Sequence, residues 1–145
     1  MACTKDDFLF ALLLIFIHAY YIIDDVIAQI ADSIAEADEI IRVENAAVSP
    51  GWVDVFSHFC DPGLEYRETI ESGAAAAAAG GYTRVFTLPN TNPVVQSKTQ
   101  VEYIVQKGLS TAVHIQPLGA VTKNGEGKEL AEMYDMYSSG AVAFS

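Results

Sequence analysis

The chain has 145 residues, of which 51% are hydrophobic, so it can bury the core of an ordinary domain and is not a disordered tail. Its formal net charge is −11 and its sequence isoelectric point is about 4.4. Such an acidic chain repels phosphate, which excludes nucleic acid and disfavours anionic membrane surfaces as partners. Two distant cysteines, Cys3 and Cys60, indicate no disulfide framework, so a reducing cytoplasm is the expected compartment.

An almost continuous apolar run occupies residues 8–23. A membrane-spanning helix needs about 20 apolar residues, and this run is shorter. It also lacks the pattern of a signal peptide, because Asp6 and Asp7 precede it and no small-residue cleavage site follows it. We predict a buried helix or a pair of strands here, with a membrane anchor as the alternative.

Two short β-prone runs, VIAQIA and EIIRVE, follow within residues 26–49. An acidic, alanine-rich stretch separates them, and the turn-forming residues Ser49, Pro50 and Gly51 end the region. It is predicted to be part of a small accessory β domain. Divergent apolar residues 1–25 would precede this domain, and a larger domain over residues 50–145 would follow it.

From residue 50 onward, short β-prone runs alternate with longer helical ones. Strands are predicted over residues 52–59, 82–88, 112–116 and 141–144, and helices over residues 68–79, 97–108 and 128–139. Ser97 and Gln100 have the spacing of a capping box at the second helix. The predicted apolar face of the third helix consists of Leu130, Met133, Tyr134 and Tyr137.

This alternation predicts βαβ units and a parallel sheet in an α/β fold. Three complete units and one further strand could finish an open three-layer fold. They could not finish a (β/α)8 barrel, which has about 250 residues.

The segment richest in chemistry is P-G-W-V-D-V-F-S-H-F-C-D-P-G, residues 50–63. Side chains alternate along a strand, and parallel α/β folds build their sites at the carboxyl ends of strands. The residues expected on one face near that end are Asp54, Phe56, His58 and Cys60. A His-x-His pair here would present two imidazoles to one metal ion, but this chain has Phe-x-His.

This segment resembles the first barrel strand of the dihydroorotases, which are cyclic amidohydrolases and read P-G-x-x-D-x-H-x-H-x-R-x-P-G there. Further matching motifs follow in order: E-T-I-E-S-G at 68–73, A-G-G-Y-T at 79–83, P-N-T-N-P at 89–93 and G-A-V-A-F-S at 140–145. The resemblance covers residues 26–145. It implies a partial (β/α)8 TIM-type barrel, with three βα units and strand 4, preceded by small strands of an accessory sheet.

The resemblance also implies a hydrolase of pyrimidine biosynthesis, in which zinc activates a water that attacks the cyclic amide of dihydroorotate, reversibly. The family's first pair of metal ligands falls on Phe56 and His58, and its substrate-binding asparagine falls on Asn90. Its arginine for the substrate carboxylate falls on Cys60. The family's next ligand, an aspartate, directly follows the Phe-Ser motif, and the other ligands and the general base come later still. We therefore expect a fragment of the barrel that is inactive, with no catalytic residue of its own and doubtful zinc binding.

Other interpretations of the same residues stay open. His58 is a surviving metal ligand or an ordinary polar residue, and His58 with Cys60 is a conceivable substitute metal pair. The chain's parent is a working enzyme on a small cyclic amide, or a non-catalytic dihydroorotase-like protein that supports a partner such as aspartate transcarbamoylase. Exposed valines on the inner sheet face, with Val53, Val55 and Val85 expected among them, would favour aggregation or a homo-oligomer.

Overall fold

The computed structural model describes residues 19–23, 26–35, 37–43 and 48–145. The chain divides into two compact units, Met1–Pro50 and Gly51–Ser145. In the described part of the chain, no helix is long and apolar enough to cross a membrane.

The first unit contains an antiparallel hairpin. Strand β1 (Ala19–Ile23) pairs with strand β2 (Val26–Ala31), from Ala19 beside Ala31 to Ile23 beside Val26. The last five residues of the apolar run are therefore a strand, which agrees with the strand-pair alternative, and residues 8–18 lie outside the described part. The hairpin spans the boundary that the sequence analysis set at residue 25.

The predicted strand in EIIRVE is wrong for its described residues. Residues 39–43 have no strand structure, and Ile40 and Ile41 are 62% and 80% exposed. Isoleucine favours strands because it fits a half-buried pleated surface, and these side chains lie in solvent instead.

The second unit is built on a four-stranded parallel sheet with the order β3-β4-β5-β6. Its strands are β3 (Trp52–Ser57), β4 (Tyr82–Thr87), β5 (His114–Gly119) and β6 (Ala143–Phe144). The connecting helices are α1 (Ile70–Ala79), α2 (Lys98–Gly108) and α3 (Met133–Ser138), with a short 3-10 turn at Lys123–Gly125. Three βα units and a fourth strand in sequential order form half of a (β/α)8 barrel, as predicted.

The core of this unit lies between the sheet and its helices. Val85 and Ile115 on the strands pack with Ile70, Ile104 and Met136 from the three helices, and all five are at most 8% exposed. Val85 was expected on the open inner face, and this is wrong, because its position in β4 points it at the helical layer. Val53 and Val55, at 46% and 48% exposure, remain open as predicted.

The start of α2 agrees with its predicted cap, and α1 has a cap that was not predicted. Ser97 precedes α2, and its N–H donates to Gln100 Oε1 at 2.9 Å, as the capping box requires. The N–H of Ser72 donates to Thr69 Oγ1 at 3.1 Å at the start of α1. Strand β5, however, continues past its predicted end through Pro117, whose carbonyl accepts from the N–H of Val142 at 3.1 Å.

Helix α3 is shorter than predicted, and its buried face is different. Thr122 and Leu130 form an antiparallel bridge, and the N–H of Ala131 donates to the carbonyl of Val121 at 3.0 Å. These bonds hold residues 129–131 extended, so the helix begins only at Met133. Met136 is fully buried, Met133 is half-buried, and the other residues of the predicted apolar face are exposed: Leu130, Tyr134 and Tyr137.

Candidate functional site

The two predicted site residues, His58 and Asn90, lie next to each other at the carboxyl end of the sheet. His58 directly follows β3, and its Nε2 is 3.3 Å from the backbone carbonyl oxygen of Asn90, which lies beyond β4. Both side chains are exposed. Because the His58 imidazole is exposed, its hydrogen bond to the carbonyl can be replaced by one to water or to a ligand.

Strand β3 breaks the regular alternation of side chains just before this point. Asp54 pairs with Val85 and Ser57 with Thr87, so three steps along β3 match two along β4. The Asp54 carboxylate accepts from the N–H of Phe56 at 3.0 Å and from the hydroxyl of Ser57 at 2.6 Å. Asp54 therefore lies on the helix-side face with Val85. Asp54 and His58 line the same cavity beside α1, and Phe56 is not among the residues that line it.

Cys60 is also not placed where alternation predicted it. It lies beyond the strand in a left-handed backbone conformation with φ of 63°, and it is only 7% exposed. Its thiol donates to the carbonyl of His58 at 3.6 Å, a weak sulfur bond, while the His58 ring contacts Asn90. The turn after β3 thus directs the Cys60 thiol into the interior, whereas the His58 ring is exposed.

The donor set does not fit a zinc ion. Phe56, at the position of a family ligand, is 65% exposed and has no lone pair. Among residues 19–23, 26–35, 37–43 and 48–145, no group of three His, Cys, Asp or Glu side chains could hold a metal. Structural and catalytic zinc sites take three or four such donors, so these residues alone are too few.

A buried polar cluster that sequence reasoning missed fixes the turn after β3. The Asp61 carboxylate, with a side chain 0% exposed, accepts from Tyr103 Oη at 2.8 Å, Lys107 Nζ at 2.8 Å and the N–H of Ile70 at 3.2 Å. Lys107 also approaches Glu71 at 3.3 Å. The only sequence signal is the four-residue spacing of Tyr103 and Lys107, which places both on one face of α2.

Within this cluster, Asp61 and Lys107 each stabilise the charged form of the other. Burial alone would raise the pKa of Asp61, but the hydrogen bonds from Lys107, Tyr103 and Ile70 and the charge of Lys107 outweigh it, so the pKa lies below its usual value. The pKa of Lys107 is raised, chiefly by its bond to Asp61. Both groups are ionised at neutral pH, and they fasten the turn that carries His58 and Cys60 to α2.

A cavity of about 430 Å³ lies beside Asn90 at the carboxyl ends of the strands. Its walls are mostly apolar, and its polar side chains come from loops: Leu88, Pro89, Asn90, Val94, Ala120, Asn124, Gly125 and Ser145. A mostly apolar cavity with a few convergent polar side chains is typical of a site for a small molecule.

The order and pairing of the strands define a class, proteins built on a (β/α)8 barrel, of which this chain has the first half. The structure is similar to that of the L-hydantoinase (dihydropyrimidinase) from Arthrobacter aurescens, with a TM-score of 0.71 and 28% sequence identity over 86% of this chain and 28% of that one. Residues 46–145 match the dihydro-orotase-like family. The chain belongs to that family.

Curated relatives agree with this assignment. A dihydroorotase from Syntrophus aciditrophicus is 42% identical over 120 residues, which are 82% of this chain and 28% of that protein. A dihydroorotase from Syntrophotalea carbinolica is 45% identical over 122 residues, 83% of this chain and 29% of that protein. The chain thus spans less than a third of the length of these relatives.

Proposed function

We propose that this chain forms the first half of a dihydroorotase-type barrel whose family reaction is the reversible hydrolysis of dihydroorotate in pyrimidine biosynthesis, and that the chain by itself does not catalyse it. The relatives named dihydroorotase support the substrate class. Asn90, beside the cavity, is the residue proposed to bind the substrate, and His58 is the one proposed metal ligand.

The single observation that carries the proposed inactivity is the end of β3. Phe56 stands where the family's motif has a histidine, and His58 is left with a backbone carbonyl as its neighbour. Cys60, where the motif has an arginine, is turned into the protein interior. A buried thiol cannot replace the two-pronged bond of an arginine to a carboxylate, so metal and substrate both lose a partner.

The direct test is an assay of the purified chain in both directions, hydrolysis of dihydroorotate and ring closure of N-carbamoyl-aspartate, with and without added zinc. We expect no turnover above a control without protein. Zinc-dependent turnover that survives repurification would contradict the proposed inactivity.

A second test addresses the metal alone. Phe56→His restores the His-x-His pair at an exposed position, so we expect zinc affinity to rise at least about tenfold, about 1.4 kcal/mol, in a competition titration with a chromophoric chelator. Tyr66→His, at a residue 77% exposed, is the matched control and should not change it. Equal affinities for both variants would show that this strand end is not a metal position.

A non-catalytic role is the second candidate, and one observation favours it. Phe56 and Cys60 differ from the family motif at positions that would bind metal and substrate. The helix caps, the hydrophobic core and the Asp61 cluster, which stabilise the fold, are all present. In this case the half-barrel would support a partner such as aspartate transcarbamoylase. Co-expression followed by size-exclusion chromatography tests it, and separate elution of the two proteins would count against it.

A further inference from the structure

The loop after β5, over residues 120–131, has a closed shape that its own backbone maintains. The N–H of Lys123 donates to the carbonyl of Glu129 at 2.8 Å, and the side chains of the same two residues form an ion pair. Between them, Asn124 has a left-handed backbone conformation with φ of 53°. Asparagine adopts this conformation more readily than most residues with a side chain, so it fits the tip of this loop.

Hydrogen bonds join this loop to the loop after β4, which carries Asn90. The N–H of Asn124 donates to Gln96 Oε1 at 2.5 Å. The N–H of Ala120 donates to the carbonyl of Val95 at 2.7 Å. Because Val95 and Gln96 belong to the same loop as Asn90, these bonds fix the position of Asn124 relative to Asn90.

Asn90 and Asn124 line the same cavity, the one of about 430 Å³ at the carboxyl ends of the strands. The bonds that hold these two residues use backbone atoms, namely the carbonyl of Asn90 and the N–H of Asn124. Both residues are exposed, so their carboxamides are available to a ligand. Small-molecule sites have volumes of about 300–1,000 Å³ and a few fixed polar groups on an apolar wall, which Leu88 and Val94 provide here.

The chemistry of a carboxamide limits what it recognises best. It has an N–H donor and a carbonyl acceptor side by side. A ring holds the N–H and the C=O of a cyclic amide on the same side, so one carboxamide can form two parallel hydrogen bonds with that edge. A site that uses a ligand N–H in this way discriminates strongly against a ring that lacks it.

We propose that Asn124 determines specificity in this cavity: its carboxamide pairs with the N–H and C=O edge of a cyclic amide or cyclic ureide, while Asn90 contacts another part of the same ring. The inference rests on the proposed function, from which it takes the class of substrate. Asn124 lies outside the motifs that resemble the dihydroorotases, and the fold alone brings it to the cavity of Asn90.

The first experiment titrates the isotope-labelled full chain with dihydrouracil, a neutral cyclic ureide, and follows the backbone amides by NMR. We expect the largest shifts in residues 88–94 and 120–125, which include the cavity wall. Binding should be at least about tenfold tighter than that of the N,N′-dimethyl derivative, which keeps the ring and both carbonyls but has no N–H. Equal binding of the two rings would overturn the inference.

Variants of Asn124 show whether its carboxamide is responsible. Asn124→Gly removes the carboxamide at a backbone conformation that glycine adopts freely, so dihydrouracil should bind at least about fivefold more weakly and the dimethyl derivative as before. Asn124→Asp keeps the size of the side chain but has no N–H donor, so it should also bind dihydrouracil more weakly. Glu126→Gln, at an exposed position of the same loop outside the cavity wall, is the matched control and should bind as the wild type does.

Asn90→Ala separates this inference from the proposed function. If Asn90→Ala weakens binding of dihydrouracil and Asn124→Gly does not, the role of Asn124 is wrong and Asn90 remains the proposed substrate-binding residue. If neither variant changes binding, the ring binds elsewhere and both assignments are wrong. No shift around Asn124 at the highest soluble concentration of dihydrouracil would also overturn the inference. Unchanged shifts of residues 129–131 in each variant show that the loop is still closed, so that a loss of binding reports the missing carboxamide.

Discussion

Asp61 shows how a single residue at a variable position of the family's motif holds the candidate site in shape. Its carboxylate receives three hydrogen bonds in a position without solvent, and Lys107 is the charged partner. Removing one member of a buried ion pair leaves the other uncompensated, which is more destabilising than the pair is stabilising. The turn carrying His58 and Cys60 therefore depends on α2, more than 40 positions later in the chain.

We expect Asp61→Asn to lower the free energy of unfolding by about 3 kcal/mol at neutral pH, the lower end of the range because Lys107 is 30% exposed. Asp135→Asn, at an exposed carboxylate on α3, is the control and should change it by less than about 0.5 kcal/mol. Urea titrations of the three proteins give the values. A loss equal to that of the control would show that the cluster is not structural.

The pH dependence of that difference has a defined sign. The folded pKa of Asp61 lies below its usual value of 3.8, so its contribution is complete above that value and is lost as the pH falls through the folded pKa. Lys107, with a raised pKa, keeps its contribution up to its usual value of 10.5 and loses it only as the pH rises further. The gap between wild type and Asp61→Asn should therefore be flat through neutral pH and shrink in acid, and a gap that widens in acid would contradict this.

At the level of elements, the sequence predicted the helices and strands that depend on local residue patterns. It missed the features that depend on contacts with distant parts of the chain. Periodicity and caps located the helices α1 and α2 and the strand β4 to within one or two residues. The start of α3 was missed, because residues 129–131 are held by hydrogen bonds to Val121 and Lys123 and by the bridge between Thr122 and Leu130. The irregularity in β3 and the Asp61 cluster were missed for the same reason, while His58 and Asn90 came from the motif resemblance.

Helix α3 offers a test of its observed face. It has only six residues, too short to be stable by itself, so packing must hold it. Met136 is fully buried there, and we expect Met136→Ala to lower the free energy of unfolding by about 2–5 kcal/mol. Tyr137→Ala, at an exposed side chain that the sequence analysis had placed on the buried face, should lower the free energy of unfolding by less than about 1 kcal/mol. If thermal or urea unfolding showed that both variants lose the same stability, the buried face predicted from the sequence would be the correct one.

At the scale of the whole molecule, apolar edges and a high negative charge oppose each other. A net charge of −11 makes two copies repel, whereas the exposed side chains of β3 favour their association. The two forces respond differently to salt, since added ions screen the repulsion and leave burial of apolar surface intact. The ionic strength should therefore set what fraction of the chain is self-associated.

We expect the dissociation constant for self-association of the chain to fall as salt rises from about 0.1 M to about 1 M, where the Debye length shrinks from about 10 Å to about 3 Å. Sedimentation equilibrium at both salt concentrations measures it, with Val53→Lys as the comparison. That variant adds one positive charge to an acidic chain, so simple charge repulsion predicts tighter pairing than in the wild type. Loss of the apolar edge predicts weaker pairing at every salt concentration. Weaker pairing of the wild type at high salt would mean that ion pairs, and not the apolar edge of β3, hold the two copies together.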